Sequence, residues 1–473
     1  MKDKNIIIKS IELLTVILIY HIVGKNTFFL YALTYSLYKI FVSSFSHITI
    51  KEKLNDITNE RGKLNILKYT AISISIICML FMLLSILMSD TINILLNIKN
   101  TLIPSLIMSL SVIAEPLVNL VLEYLESHNK PKLSTRLFNT YHILDNILLL
   151  IISIISFLVF KFPNHISISL LYLSKILSLI ITCSIIYLVL KTKKIDTTTK
   201  PEASINYKKE IKDILSKNNH KSIVLLTKNS YYYISIIILY MILSSKYSYS
   251  MTTIENEITF IYFYAFAIIS FLIDIILSSI KYQDKKTNII SYILTIFKCM
   301  LTISIVLAVT SPLICNIIFF DNSNSVYLMM LSFLSIFIAL YNIVFENIKN
   351  KKIIYTSLIV GIITKILLIV PLIHSFYRMG YNLVYGDIIS TIIGMFISII
   401  INYIYLKNKN KKEKILDKIL TTLYESMLLC IILIILQFII PIKTNNYILS
   451  LISLVVYTTI SILFLKFQKE KRG

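Results

Sequence analysis

The chain has little glycine, no tryptophan and little charge for its length. Its 473 residues include 7 Gly and no Trp, and only 15% are charged. Neither a GxxxxGK[ST] nor a GxGxxG motif is present, which argues against ATP hydrolysis by a P-loop and against dinucleotide binding. The scarcity of charge argues against a soluble domain, in which about a quarter of the residues are charged.

Cysteine and histidine are also too few and too scattered to indicate a site. The 7 His form no cluster of the kind that membrane acyltransferases show, and no Cys/His spacing suggests a metal site. We therefore predict no metal, no catalytic residue and no bound cofactor. The five cysteines lie in apolar stretches and are interpreted as core residues: Cys78, Cys183, Cys299, Cys315 and Cys430.

Apolar runs long enough to cross a bilayer recur from one end of the chain to the other. Hydrophobic residues make up 56% of the sequence, and roughly 20 apolar residues span the hydrocarbon core as a helix. The sequence therefore predicts an all-α polytopic membrane protein with about 14 transmembrane helices. The predicted spans are 5–23, 27–48, 66–88, 101–125, 133–160, 166–190, 222–245, 258–280, 288–310, 326–348, 353–376, 380–406, 417–441 and 446–465.

The positions of lysine and arginine orient these spans. With a cytoplasmic N-terminus, 36 of the 47 Lys and Arg lie in or beside the cytoplasmic segments, and 6 lie in the outer loops. This asymmetry predicts that both termini are cytoplasmic. The net charge of +22 is therefore a topology signal, and we expect anionic membrane lipids as partners and no nucleic acid. Abundant Ile, Lys and Asn suggest an AT-rich bacterial genome, so we predict a bacterial cytoplasmic membrane protein. The first run lacks a cleavage site and is interpreted as an uncleaved span.

A short pattern repeats at an interval of six spans. Asn119 to Glu123 in span 4 and Asn342 to Glu346 in span 10 share the order Asn, aliphatic, Val, apolar, Glu. An even interval indicates a parallel repeat about an axis along the membrane normal. We therefore predict two six-helix lobes and two added helices. The predicted divisions are an N-lobe (1–190), a basic cytoplasmic linker (191–221), a C-lobe (222–406), and spans 13–14 with a tail (407–473).

Charged residues inside spans are candidates for function, because such a residue costs roughly 2.5–3.5 kcal/mol at a helix centre. We expect Lys175, Lys298 and Lys365 to form buried ion pairs between helices. Lys39 lies near the middle of span 2 and is a candidate functional residue. Lys228 lies about two turns inside span 7, and the alternative to a functional role is that its ammonium group snorkels to the membrane interface. The acids available to these lysines inside spans are Glu115, Asp145, Asp274, Asp387 and Glu425.

Two prolines and two span-end glutamates complete the candidates. Pro116, after Glu115, and Pro371 in span 11 remove a backbone donor within a span. Each predicts either a permanently shaped helix or a hinge for a rocking lobe. Glu123 and Glu346 lie at span ends, where we expect salt bridges to the adjacent loop lysines.

Three stretches resemble one family. Gly24 with LYALTYSLYKIFVSSFSHITIKEKL (30–54), MLTISIVLAVTSPLICNIIFF (300–320) and residues 351–408 with their KILLIVPLI run, Gly380 and Gly386 are similar to polysaccharide-type flippases of the MOP superfamily. That group includes the lipid II flippase (MurJ) and stage V sporulation protein B families. The resemblance covers most of the chain in topology.

The resemblance implies a central cavity lined by spans 1, 2, 7 and 8, with spans 13–14 forming a groove for a lipid tail. It implies translocation of an undecaprenyl-pyrophosphate-linked saccharide. Lys39, Lys228 and Asp274 lie on cavity-forming spans by this reading, and ammonium groups pair directly with a pyrophosphate. Asp274 is also our candidate for a carboxylate that couples transport to a cation.

We therefore predict a monomeric flippase for a lipid-linked oligosaccharide or peptidoglycan precursor, working by alternating access. Energy would come from membrane potential, H⁺ or Na⁺. A cation-coupled drug or metabolite exporter of the MATE type is the alternative. Twelve spans and a smaller, more acidic cavity would favour it, whereas the fourteen predicted spans and the lysines argue against it. A membrane glycosyltransferase or ligase is the second alternative, but it would need a long outer loop with paired acids, and no predicted outer loop is long.

Overall fold

The computed structural model describes most of the chain as helix. It describes residues 2–23, 29–45, 48–57, 60–96, 101–127, 131–192, 207–247, 250–283, 289–348, 350–409, 415–440, 442 and 446–470. No β-strand occurs in these ranges, as expected where backbone groups must bond within their own segment in lipid. The helices are α1 (Lys2–Val23), α2 (Phe29–Phe45), α3 (Lys51–Asp56), α4 (Glu60–Leu96), α5 (Leu102–Ser111), α6 (Ala114–Ser127), α7 (Pro131–Ser153), α8 (Asn164–Thr192), α9 (Tyr207–Lys246), α10 (Met251–Thr259), α11 (Phe266–Gln283), α12 (Ile289–Phe319), α13 (Ser325–Asn347), α14 (Lys351–Arg378), α15 (Val384–Lys409), α16 (Ile415–Gln437) and α17 (Tyr447–Glu470).

The predicted membrane architecture is confirmed. Within the described ranges, 13 stretches are long and apolar enough to cross a membrane, and one shorter apolar stretch, Phe29–Val42, corresponds to the predicted second span. The protein is thus a multi-pass α-helical membrane protein. Two π-helical segments interrupt these spans, at Ile154–Val159 after α7 and at Phe260–Ala265 between α10 and α11.

Two compact units divide the chain between Asn256 and Glu257. The boundary lies inside α10, so Asn256 is helical and does not lie in the predicted loop between spans 7 and 8. In the first unit α9 packs beside α2, and α8 packs against α5 and α7. The described part of the predicted linker, from Tyr207 onward, is helical and continuous with span 7. The division into repeated lobes at 190 and 222 stays a prediction.

The second unit is built on the pairs α14–α15 and α12–α13, and α16 and α17 both pack on α12. Gly380 ends α14 with φ +71°, where its N–H donates to the Tyr377 carbonyl and the next N–H donates to the Phe376 carbonyl. This is a Schellman motif, which favours glycine. A Cβ on Gly386 would lie 2.6 Å from the backbone nitrogen of Ile373, so glycine is required for α15 to pack against α14.

Candidate functional site

Lys39 lies in α2 beside aromatic side chains. It is partly exposed, and its Nζ lies 4.9 Å from the centroid of the Tyr35 ring, one helical turn earlier. A cation over an aromatic face is held by the ring quadrupole, at a gain of about 0.5–1 kcal/mol where it is exposed to water. The aromatic contact orients the ammonium group.

Lys228 lies on the neighbouring helix α9 and is also partly exposed. The next residue, Asn229, donates a hydrogen bond from Nδ2 to the backbone carbonyl of Lys39, at 3.4 Å. This bond places the two lysines at the same level of two helices that pack side by side. That the two ammonium groups face one cavity and bind an anionic ligand stays a prediction.

Asp274 lies in the second unit, on α11, where it is exposed. Its predicted role in substrate binding or coupling stays a prediction, and so does the cavity placement of the two lysines.

Pro116 follows a break in its span. α5 ends at Ser111 and α6 begins at Ala114, with a turn at Val112 and Ile113 between them. Because proline lacks an N–H, the Val112 carbonyl loses the donor that a regular helix would give it. In the turn, the Ile113 N–H bonds to the Leu110 carbonyl at 3.4 Å, three residues back rather than four. The shaped helix predicted there is confirmed. Pro371, in contrast, lies inside the uninterrupted α14. A hinge at either proline stays a prediction.

The expected ion pairs between helices are confirmed. Lys175 Nζ in α8 lies 2.7 Å from Asp145 Oδ2 in α7, and Lys298 Nζ in α12 lies 2.7 Å from Glu425 Oε2 in α16. In the second unit, Lys365 in α14 lies 3.6 Å from Asp387 in α15, and neither side chain is exposed.

A tyrosine contacts the buried ion pair of each unit. Lys175 Nζ lies 5.3 Å from the ring centroid of Tyr38 in α2. The Tyr262 hydroxyl, in the π-helical segment, donates a hydrogen bond to Asp387 Oδ2. Asp145 and Lys365 lie thirteen residues after Lys132 and Lys352, the positions that the predicted repeat makes equivalent. The equivalent positions thus hold opposite charges, and each belongs to a buried pair.

The π-helical segment aligns α10 with the start of α15. Glu257 Oε1 accepts a hydrogen bond from Asn382 Nδ2 at 3.0 Å, and five residues later Tyr262 bonds to Asp387. Residues five apart do not share a face of a regular α-helix, whereas a π-turn stacks them. Asn382 also donates to the Tyr327 hydroxyl at 2.5 Å, which ties α13 to the same junction.

Glu123 caps the short helix α3. Its Oε2 accepts from the backbone N–H groups of Ile50 at 2.5 Å and Lys51 at 3.1 Å. The expected salt bridge to a loop lysine is wrong for this residue, because the free N–H groups at a helix start attract the carboxylate. Lys51 pairs instead with Glu126 at 2.8 Å. The side chain of Glu346 lies outside the described residues.

The end of this helix is tied to α9. Lys53 Nζ lies 2.6 Å from Glu210 Oε2, and this hydrogen bond raises the pKa of the Lys53 ammonium. Asn218 Oδ1 accepts from the Thr49 N–H and hydroxyl, both at 3.2 Å. The loop before span 3 is thus fixed to both α6 and the start of α9.

A second polar network lies in the first unit and was missed from the sequence. Glu12 in α1 pairs with Lys9 at 2.8 Å and with His142 Nδ1 of α7 at 3.5 Å. Both Glu12 and His142 lie inside predicted spans. Two titratable residues inside spans are a signal for such a contact, but Glu12 and His142 lie far apart in the chain, and the sequence does not show that α1 and α7 meet.

Within the described ranges, no group of three or more His, Cys, Asp or Glu is arranged to hold a metal ion. The prediction that transport needs no bound metal or cofactor stays a prediction.

The chain matches no protein-family model and no curated protein. It is similar to solved structures of transporters over nearly its whole length. The lipid II flippase MurJ in an inward closed conformation is 16% identical with a TM-score of 0.68, and the match covers 99% of this chain and 98% of that chain. An inward-facing multidrug resistance MATE transporter of the MOP superfamily is 12% identical with a TM-score of 0.57, over 84% and 93% of the two chains. A MATE in complex with MaD3S is 14% identical with a TM-score of 0.51, over 86% and 94%.

These likenesses show the fold. The chain has the fold that the lipid II flippase and MATE transporters share, so the resemblance of residues 30–54, 300–320 and 351–408 is confirmed at that level.

Proposed function

We propose that the protein is a MOP-superfamily flippase that moves an undecaprenyl-pyrophosphate-linked saccharide across the bacterial cytoplasmic membrane by alternating access. The observation that carries the proposal is the placement of Lys39 and Lys228 at one level of the adjacent helices α2 and α9. It is joined by a fold shared with a lipid II flippase over 99% of the chain.

The two lysines suit the charged part of such a substrate. A pyrophosphate presents several anionic oxygens, and an ammonium group donates charge-assisted hydrogen bonds to them. Lysine on a flexible stem accommodates oxygens at varying positions. The Tyr35 ring beside Lys39 limits how far that ammonium group moves. The head group would be held by these side chains while the lipid tail stays in the bilayer.

The last two helices favour a lipid-linked substrate. α16 and α17 pack on α12 around a core that includes Leu313, Leu429, Leu433 and Tyr457. The rest of α16 is a nearly continuous apolar surface whose exposed members include Met427, Ile431 and Ile435. Such a surface suits acyl or prenyl chains, because an apolar tail gains by contact with it away from head groups.

Membrane potential would supply energy to a charged substrate. About 2.3 kcal/mol is available per elementary charge per 100 mV. A substrate carrying a pyrophosphate moves negative charge outward, which a potential that is negative inside assists. Asp274 remains a candidate cavity residue in this scheme.

A MATE-type exporter is the second candidate, favoured by the likeness to a MATE transporter over 93% of its chain. It is the weaker one, because that match leaves 16% of the present chain uncovered, whereas the flippase match extends through the last two helices. An exporter would raise resistance to a cationic drug in a susceptible host.

Genetic complementation tests the proposal. We expect the chain to restore growth to bacteria depleted of their own lipid-linked saccharide flippases, each depleted in turn. Lys39→Ala and Lys228→Ala should weaken rescue, while Lys132→Ala, an exposed lysine at the start of α7, should not. Failure to rescue any depletion at wild-type expression, or drug resistance without rescue, would contradict the flippase assignment.

A further inference from the structure

Helices α2 and α9 meet along a seam that runs the depth of the membrane. Three contacts mark it, and they pair Phe29 with Tyr240, Lys39 with Asn229, and Thr49 with Asn218. Between its first and last contact α9 rises about 33 Å, close to the roughly 30 Å thickness of the hydrocarbon core. The two segments therefore hold each other from one side of the membrane to the other.

The three contacts keep a single register. Asn218, Asn229 and Tyr240 follow one another at intervals of eleven residues, which is close to three turns of an α-helix, so they lie on one face of α9. Their partners follow at intervals of ten residues in the opposite direction. The contacts thus belong to one antiparallel interface, and α9 does not turn away from α2 along it.

Each end of the seam is anchored. At the end near α3, Asn218 Oδ1 accepts from the Thr49 N–H and hydroxyl, its Nδ2 donates to the Thr49 carbonyl, and all three distances are 3.2 Å. The Lys53–Glu210 pair, at 2.6 Å, lies at the same end. At the opposite end the centroids of the two stacked rings lie 5.2 Å apart, and both aromatic residues are buried. The seam is therefore closed by polar links at one end and by an aromatic stack at the other.

The compact units of the chain divide beyond this seam. α9 packs on α2 and α4, both in the first unit, and the division falls between Asn256 and Glu257. The repeat in the sequence, in contrast, predicts that span 7 begins a C-lobe at residue 222. For α9 to leave α2, the polar links and the buried aromatic stack would all have to be lost together, because packed interfaces switch between arrangements rather than stretch.

We propose that α9 stays joined to α2 throughout the transport cycle, so that Lys39 and Lys228 move as one fixed pair and the chain rearranges only beyond α9. The use of the pair in transport rests on the proposed function, whereas the seam does not. Asn218, Asn229 and Tyr240 are then positioning residues for the two ammonium groups. A fixed pair holds a pyrophosphate equally well in either conformation, so binding does not bias the conformational equilibrium, and the membrane potential has to drive reorientation.

Distances between spin labels test the seam without a transport substrate. In a protein whose five cysteines are replaced by serine, nitroxides at Asn55→Cys and Ser216→Cys report the end near α3, where both positions are exposed. They are measured in proteoliposomes at the two membrane potentials between which a second pair, Ser245→Cys in α9 and Tyr381→Cys in the second unit, changes its distance. We expect one unchanged distance for the first pair, and a second distance longer by about the 10 Å diameter of a helix would overturn the proposal.

Two variants show whether this measurement detects an open seam. Asn218→Ala/Glu210→Lys removes the bonds to Thr49 and places like charges side by side at the Lys53 contact, so a second, longer distance should appear. Lys212→Ala, at an exposed position on the same helix, is the control and should leave the distance distribution unchanged. A distribution as narrow in the double variant as in the parent protein would overturn the role of these contacts in holding the seam.

Cross-links test the same claim during transport. Thr49→Cys/Asn218→Cys and Phe29→Cys/Tyr240→Cys in one otherwise cysteine-free protein allow both ends of the seam to be joined by a short, reducible thiol reagent. The joined protein should move the lipid-linked saccharide as fast as its own reduced form. Loss of transport that a reductant restores would overturn the proposal and leave the proposed function standing. If the parent cysteine-free protein moves no saccharide, the proposed function fails and the spin-label distances alone decide the seam, as they do if the four-cysteine protein does not fold.

Discussion

The side chain of Asn229 in α9 donates a hydrogen bond to the backbone carbonyl of Lys39 in α2, two residues that lie 190 positions apart. The bond fixes the register of the two helices, and with it the relative height of Lys39 and Lys228. In a membrane, where no hydrophobic force drives helices together, such polar links and close packing determine which residues meet. The proposed pyrophosphate site depends on this register.

Removing one partner of the Asp145–Lys175 pair should destabilise the protein. Asp145→Ala or Lys175→Ala leaves a buried charge unpaired, at a cost of about 3–5 kcal/mol. The double variant Asp145→Asn/Lys175→Met should recover most of that loss, because no charge is then stranded. The midpoint of thermal unfolding in detergent measures both effects. Equal losses in the single and double variants would contradict a coupled pair.

Tyr262→Phe should destabilise the second unit. The change removes a hydrogen bond to the buried Asp387 carboxylate and keeps the ring, so we expect a loss of about 1.5–3 kcal/mol. Tyr381→Phe, at an exposed position, is the control and should change unfolding little. A Tyr262→Phe protein as stable as the wild type would show that the π-helical segment does not depend on this bond.

Gly386→Ala should disrupt the packing of α14 and α15. The added methyl would lie 2.6 Å from the Ile373 nitrogen, and overpacking at backbone typically costs about 1–3 kcal/mol. Gly380→Ala meets no atom within 4 Å and incurs only the strain of its positive φ, about 1 kcal/mol. Thermal unfolding should therefore rank Gly386→Ala as the more damaging change, and the reverse order would contradict the packing described.

Glu123→Ala should release α3 while leaving the spans intact. The Ile50 and Lys51 N–H groups would lose their acceptor, and loss of a helix cap costs about 0.5–2 kcal/mol. Hydrogen exchange should become faster at those two amides and through α3, with little change in α7. Glu126→Ala removes the contacts of this carboxylate with the Lys51 ammonium group and the Ser134 hydroxyl, and it should leave the Ile50 and Lys51 amides protected. Unchanged protection in Glu123→Ala would exclude the cap.

Much of the fold follows from the sequence, because hydropathy and lysine asymmetry are properties of single segments. Lys175, Lys298 and Lys365 were expected to pair with acids inside the membrane, and they do, since an unpaired charge is costly there. Which acid each one meets depends on helix packing. Glu123 shows the limit: the backbone N–H groups of α3 compete with lysine for its carboxylate, and sequence does not reveal a helix of six residues.

The candidate site was predicted less fully. Lys39 and Lys228 were selected because they are charged, but their common height required the Asn229 contact. Tyr38 and Tyr262 were not predicted as site residues, because the chain has 31 tyrosines and only the packing of the helices shows which of them contact an ion pair. The π-helical segment at Phe260–Ala265 has no sequence signal that we recognise.

Direct measurement of lipid translocation tests the central claim. Purified protein in proteoliposomes should move a fluorescent undecaprenyl-pyrophosphate-linked saccharide from one leaflet to the other faster than protein-free liposomes do. The Lys39→Ala/Lys228→Ala protein should be slower by about a hundred- to ten-thousandfold, since two charge-assisted hydrogen bonds of roughly 1.5–3 kcal/mol each are lost. Lys132→Ala should match the wild type. Translocation no faster than in empty liposomes, or equal rates in all three proteins, would contradict the account.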